Sequence, residues 1–213
     1  MSREQRWDHI RERLNRVFNF NQMAILFLDE EREVLRLDAP GLDNKRVADG
    51  AVSSVPGRVL AVLTADCLPV LLARVDGGRV GVAHAGWRGL VGGVLEATLA
   101  QMDAAADEVV AWIGPGIGAA AYEVGAEVRD ACLAACGPAA DAFFAAGRPG
   151  HWQFDLGGLA RHRLGSAGVV SVHGGAWCTH TDAERFFSHR RDGAAAPTGR
   201  MTTLIWLGDG ATG

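Results

Sequence analysis

Three short apolar, β-rich runs crowd the middle of the chain: Val59 to Leu63, Leu68 to Val75 and Arg79 to Ala85. They are separated only by Thr64-Ala65-Asp66-Cys67 and by the turn Asp76-Gly77-Gly78. A turn as short as Asp76-Gly77-Gly78 suits two strands that return beside each other. The second and third therefore return on each other, bringing His84 back beside the strand that follows Cys67. A thiol, a carboxylate and an imidazole thus fall at strand ends, where enzymes present reactive groups.

The flanking sequence supplies helices as well as strands. Trp7, Ile10, Leu14 and Val17 recur at helical spacing among Arg and Glu, which predicts an amphipathic helix over 4 to 18. Strands are expected at Met23 to Leu28, Val34 to Leu37, Val109 to Ile113, Val169 to Val172 and Met201 to Leu207. Further helices are expected at Gly89 to Met102, Glu127 to Cys136 and Leu156 to Leu164. Residues 39 to 57, with two prolines, three glycines and several polar positions, read as loop. Strands do not alternate strictly with helices, so the expected class is α+β with mixed β-sheets rather than a doubly wound fold. The 213 residues, 48 % hydrophobic, read as one domain spanning 1 to 213.

Composition narrows the function classes. The net charge is −4 and the basic residues are scattered arginines, with Lys45 the single lysine, so the footprint of a nucleic-acid binder is missing. The start is charged and no apolar run approaches the roughly 20 residues of a membrane span, so neither a secretory signal nor a membrane protein is expected. Cysteines at 67, 132, 136 and 178 fit neither a dense disulfide framework nor a paired zinc knuckle. A reducing, cytoplasmic setting is the simpler expectation.

Four segments carry more chemistry than a connection needs. In Thr64-Ala65-Asp66-Cys67-Leu68-Pro69 a lone cysteine could equally be a small buried hydrophobe. In Val82-Ala83-His84-Ala85-Gly86-Trp87-Arg88-Gly89 the glycines form a compact turn that can gather imidazole, indole and guanidinium, although a core histidine bonded to backbone is the plain alternative. Trp112-Ile113-Gly114-Pro115-Gly116-Ile117-Gly118 lets backbone amides approach a ligand, but it lacks the P-loop lysine and reads first as tight-turn geometry. The last runs from Cys178 to Asp182, then Phe186-Phe187-Ser188-His189-Arg190-Arg191 and Thr198-Gly199-Arg200. Its hydroxyl and arginine forks suit phosphate or ribose, or else form a solvated basic surface. Cys132 and Cys136, four apart on a helix, read as packing residues.

Together these segments resemble the YfiH-like, or laccase-domain, family, also called the multicopper polyphenol oxidase family. The resemblance is carried by TADCLPVLL (64 to 72), GVAHAGWRGL (81 to 90), WIGPGIG with YEVG (112 to 125), and FFSHRRDG with TGRM (186 to 201). It implies a CNF/YfiH-like fold of four layers, α/β/β/α. It also implies a purine nucleoside phosphorylase that yields free base and ribose 1-phosphate, with adenosine deamination and methylthioadenosine phosphorolysis as associated activities. Purine nucleosides and phosphate are then the partners. In such proteins a zinc-type metal is held by the cysteine of the ADC motif, the histidine of HAGWRG and a histidine from a Gln-Val-His-Gly segment; the first two are Cys67 and His84 here.

Three protein ligands leave an open zinc position for a water to attack a purine ring, whereas phosphorolysis needs a positioned anion and a protonated leaving base. Arg88, Arg190 and Arg200 are assigned to phosphate, with Ser188 and Trp87 lining the substrate. Asp66 is assigned to orienting a ligand or moving a proton. The chain departs from the family pattern at its front. The family usually begins with some tens of further residues, and no Gln-Val-His-Gly histidine precedes Val34. Counting back from Val34 puts Glu30 near the expected place, whereas matching on Gln22 puts Ala24 there; Glu30 is a conceivable third ligand, with a plain charged turn residue as the alternative, and His173 or His180 are candidates from elsewhere. Copper, which the older family name suggests, fits less well, because a multicopper site needs His-x-His pairs and none of the seven histidines forms one. Two other readings compete: a metal-free thiol hydrolase with Cys67 as nucleophile and His84 as base, and an inactive homologue that binds nucleosides.

Overall fold

The computed structural model describes residues 23–27, 33–38, 45–193 and 198–208. In chain order the strands are β1 Met23–Phe27, β2 Val34–Arg36, β3 Lys45–Val47, β4 Gly50–Ser53, β5 Val59–Thr64, β6 Leu68–Arg74 and β7 Val80–Ala85. They are followed by β8 Val109–Ile113, β9 Glu123–Gly125, β10 Phe144–Ala146, β11 His151–Phe154, β12 Ser171–Gly174 and β13 Met201–Ile205. The helices are α1 Trp87–Gly92, α2 Val94–Ala100, α3 Ala126–Cys136, α4 Leu156–Ser166 and α5 His189–Asp192. The expected helix over 4 to 18 lies outside the described residues.

Two main sheets carry the molecule. One has six strands in the order β12-β8-β6-β7-β4-β2, the other four in the order β13-β5-β1-β3, and both mix parallel and antiparallel pairs. The alternation of β7 sets the layers. Ala83 and Ala85, with Leu68, Val70 and Leu72 of β6, face Leu90, Val94, Leu95 and Leu159 of the helices. Val80 and Val82 face the other way, onto Leu60 and Val62 of β5. Helix, sheet and sheet are therefore stacked in an α+β fold among the described residues. No helix of the described residues is long and apolar enough to cross a membrane.

Four expectations change. Residues 39 to 57, read as loop, contain β3 and β4; the Gly-Ala-Val-Ser of β4 has little β propensity of its own, but it is wholly buried and paired on both sides by β2 and β7. The single helix expected from Gly89 to Met102 is two helices, because Gly93 takes a left-handed φ of 86° that closes α1 and opens α2. The strand expected at Val169 begins at Ser171, where pairing with Val110 starts. A third, three-stranded sheet, β10-β11-β9, has strands too short for the hydrophobic pattern to announce.

Candidate active site

Cys67 lies in the link from β5 to β6, and His84 is the penultimate residue of β7. Pro69 pairs with His84 across the β6–β7 ladder, and Cys67, two residues earlier, falls on the same face. His84 shares the parity of Val80 and Val82, so its ring projects toward the second sheet rather than into the helical core. Gly86 is required by this proximity. A Cβ there would stand 2.9 Å from Cys67 Sγ and 3.6 Å from His84 Cε1.

The imidazole is held from behind by Asp49, a residue not singled out in the sequence. Asp49 Oδ1 lies 3.3 Å from His84 Nδ1, and the Asp49 carbonyl accepts the His84 backbone N–H at 2.7 Å. Asp49 is 1 % exposed, so this carboxylate works in a setting where a charge must be partnered. Burial opposes charge on the ring, but the hydrogen bond to Asp49 and the neighbouring Cys67 sulfur outweigh it and raise the His84 pKa to about 9. With Nδ1 committed to Asp49, Nε2 is left for the thiol or for a ligand. The signal for Asp49 was present only as an acidic residue inside a stretch read as loop.

Asp66 serves as a hub. Its Oδ1 accepts from the Thr179 hydroxyl at 2.6 Å and its Oδ2 from the Arg190 backbone N–H at 2.6 Å, while its carbonyl accepts from Ile117 N–H at 2.8 Å. The residue is buried at a φ of 87°, a left-handed conformation that Asp tolerates better than most side chains. Both carboxylate oxygens are engaged in holding three distant segments around Cys67, so Asp66 acts here by position. Gly116 belongs to the same knot: a Cβ would stand 3.1 Å from the Asp66 carbonyl and would collide with Leu68.

The arginines divide into two groups. Arg190 donates to the Glu123 carbonyl at 2.9 Å and lies 5.1 Å over the ring of Tyr122. Tyr122, the chain's one tyrosine, is held protonated above its ordinary range, first by burial and then by the charges of Cys67 and Asp66 acting against the pull of Arg190. It joins the site although the sequence pointed only to its motif. Arg191, by contrast, is spent on structure, donating to the carbonyls of Thr179, His180 and Phe186. Ser188 is buried and its hydroxyl caps α5 by accepting from Arg191 N–H at 3.1 Å. Arg200 is exposed and donates to the carbonyls of Thr198 and Gly199. Arg88 is exposed with its guanidinium 4.3 Å over Trp87, one turn beyond His84.

For a zinc-type metal the fit is incomplete. Cys67 and His84 are adjacent, and a carboxylate behind a ligand histidine is a usual support. Among the described residues, however, no group of three His, Cys, Asp or Glu side chains converges, His173 and His180 included. His173 is exposed and bonds the Ser171 hydroxyl, and Glu30 lies outside the described residues.

Comparison with known proteins agrees with the motif resemblance. Residues 3–208 match the family model described as multi-copper polyphenol oxidoreductase laccase. The chain belongs to this family. Among the relatives of this laccase-family chain, a Xylella fastidiosa protein named purine nucleoside phosphorylase is 52 % identical over 182 residues, covering 83 % of this chain and 68 % of that one. The Escherichia coli purine nucleoside phosphorylase YfiH is 43 % identical over 204 residues, covering 94 % and 82 %. A crystal structure of a Neisseria meningitidis protein superposes with a TM-score of 0.84 at 41 % identity, covering 93 % of this laccase-family chain and 79 % of that one.

Proposed function

We propose that this chain cleaves purine nucleosides with phosphate, taking adenosine and inosine. The arrangement that carries the reading is Asp49–His84–Cys67 at a strand end, beside the Asp66–Tyr122–Arg190 cluster. In phosphorolysis a phosphate oxygen bonds to the sugar C1′ while the C1′–N9 bond breaks, and the electron pair leaves with the base. His84, anchored on Asp49 through Nδ1, presents Nε2 to donate a proton to that departing base. Arg190, Arg88 and Arg200 are the guanidinium donors for the phosphate. Methylthioadenosine phosphorolysis follows the same steps. Adenosine deamination needs an activated water, for which Cys67 and His84 offer only two donors of the zinc set. Four unpaired thiols suit the cytoplasm. The names of the relatives support this reading at the level of activity class.

A second reading has a specific observation in its favour: Cys67, His84 and Asp49 stand in the order nucleophile, base and orienter. One experiment separates the two. Inosine and adenosine are incubated with wild type, Cys67→Ala and His84→Ala, with and without phosphate and with and without chelator, and products are resolved by chromatography alongside elemental analysis for zinc and copper. Phosphate-dependent release of hypoxanthine and adenine, lost in His84→Ala, is the expected outcome. Ammonia release would add deamination. No base release with phosphate, together with chelator-resistant cleavage of an activated ester that disappears in Cys67→Ala, would replace phosphorolysis by thiol chemistry.

A further inference from the structure

Thr64, the last residue of β5, is 2 % exposed, and its hydroxyl has no hydrogen-bond partner. Arg58, Arg79, Glu96 and Gln153 also have an unpartnered buried atom, but each carries another polar atom on the same side chain, which in Arg58, Arg79 and Glu96 is bonded. Thr64 has no second polar atom to use. A buried hydroxyl left without a partner is destabilising and is retained in native proteins where something else requires it.

Its position says what. Leu60 and Val62 of β5 face Val80 and Val82 of β7 in the core between the sheets, and Thr64 continues the row of Leu60 and Val62 as His84 continues that of Val80 and Val82. Both rows end at the same edge, because only Ala65, Asp66 and Cys67 separate Thr64 from Leu68, which pairs with Ala85. The apolar seam between the sheets therefore ends, at one edge, on a hydroxyl and an imidazole, with Cys67 in the link alongside.

We infer that Thr64 is a ligand-contacting residue that hydrogen-bonds the nucleoside, not the phosphate, at the His84 end of the seam. The inference rests on the phosphorylase reading for the identity of the ligand. Apolar neighbours and a neutral hydroxyl, with the charge of the His84 ring already matched by Asp49, suit an uncharged base or sugar. A phosphate needs compensating charge, and Arg88, Arg190 and Arg200 are all on the exposed side.

The test uses calorimetric inosine binding and the separate KM values for inosine and phosphate in wild type, Thr64→Val and Thr64→Ser. Valine keeps the shape without the hydroxyl and serine keeps the hydroxyl; Thr64→Ala repeats the deletion should valine pack badly. Thr64→Val is expected to weaken inosine binding about 5- to 10-fold, the effect of one net hydrogen bond, with the phosphate KM unchanged and Tm equal to or above wild type. Thr64→Ser is expected to bind as wild type does. Inosine affinity unchanged in both hydroxyl deletions, or inosine and phosphate weakened equally, would overturn the role of Thr64 and leave phosphorolysis standing. Wild-type protein that binds no nucleoside would overturn phosphorolysis and this inference together.

Discussion

Replacing Asp49 by Asn keeps the size of the side chain and removes the charge that holds the His84 ring. The ring's pKa is pushed up to about 9 in the fold from its ordinary 6.5, and a difference of that size corresponds to roughly 3 kcal/mol of folding stability. The folded-state pKa is the raised one. The contribution is therefore complete below pH 6.5 and is lost as pH rises through about 9. In Asp49→Asn the burial that opposes charge on the ring loses its main counterweight, the pKa of His84 falls back toward or below 6.5, and most of this pH-dependent stability disappears. Urea unfolding of chelator-treated wild type and variant at pH 6 and pH 9.5 measures it directly, with the imidazole resonance of His84 as the site-specific check. Wild type should lose stability across the interval by the order of magnitude given, the variant far less. A variant whose stability falls across the interval as steeply as wild type's would refute the assignment of Asp49 as the group that charges the ring.

Two further outcomes follow from the geometry. Gly86→Ala places a methyl group 2.9 Å from Cys67 Sγ, which should cost about 1–3 kcal/mol as overpacking and change the alkylation rate of Cys67; thermal denaturation and thiol labelling read these out. Asp66→Ala leaves the Thr179 hydroxyl and the Arg190 backbone N–H without their acceptor and should lower stability by about 1–3 kcal/mol, with turnover falling because Arg190 is released; Asp66→Asn, which keeps the acceptor oxygen and tolerates the left-handed φ, should recover part of both.

The central hairpin was readable because β6 and β7 are apolar, rich in Val and Leu, and punctuated by Asp76-Gly77-Gly78, so local signal and tertiary pairing agree. The same hairpin carried Cys67 and His84 into one place. β4 was unreadable for the opposite reason: its four small residues become a strand only once β2 and β7 pair with it, and Asp49 was lost with it. Ser188 illustrates a different failure. The hydroxyl was recognisable, but its role as a helix cap depends on α5, a four-residue helix too short to leave a periodic pattern. Thr64 stands in its motif with no legible role, because nothing in a sequence reveals that a hydroxyl will be buried without a partner.

The link between the two sheets also bears on how this chain can vary. Packed sheets lie about 10 Å apart, and four Cα steps from Thr64 to Leu68 reach about 13–14 Å at full stretch, so Ala65, Asp66 and Cys67 have little slack. The turn Asp76-Gly77-Gly78, at the opposite end of the same hairpin, is exposed and free to lengthen. An inserted residue there changes a loop tip; one inserted after Thr64 slackens the tether that sets the spacing between hydroxyl, thiol and imidazole. The chain therefore tolerates growth at one end of its central hairpin and resists it at the other.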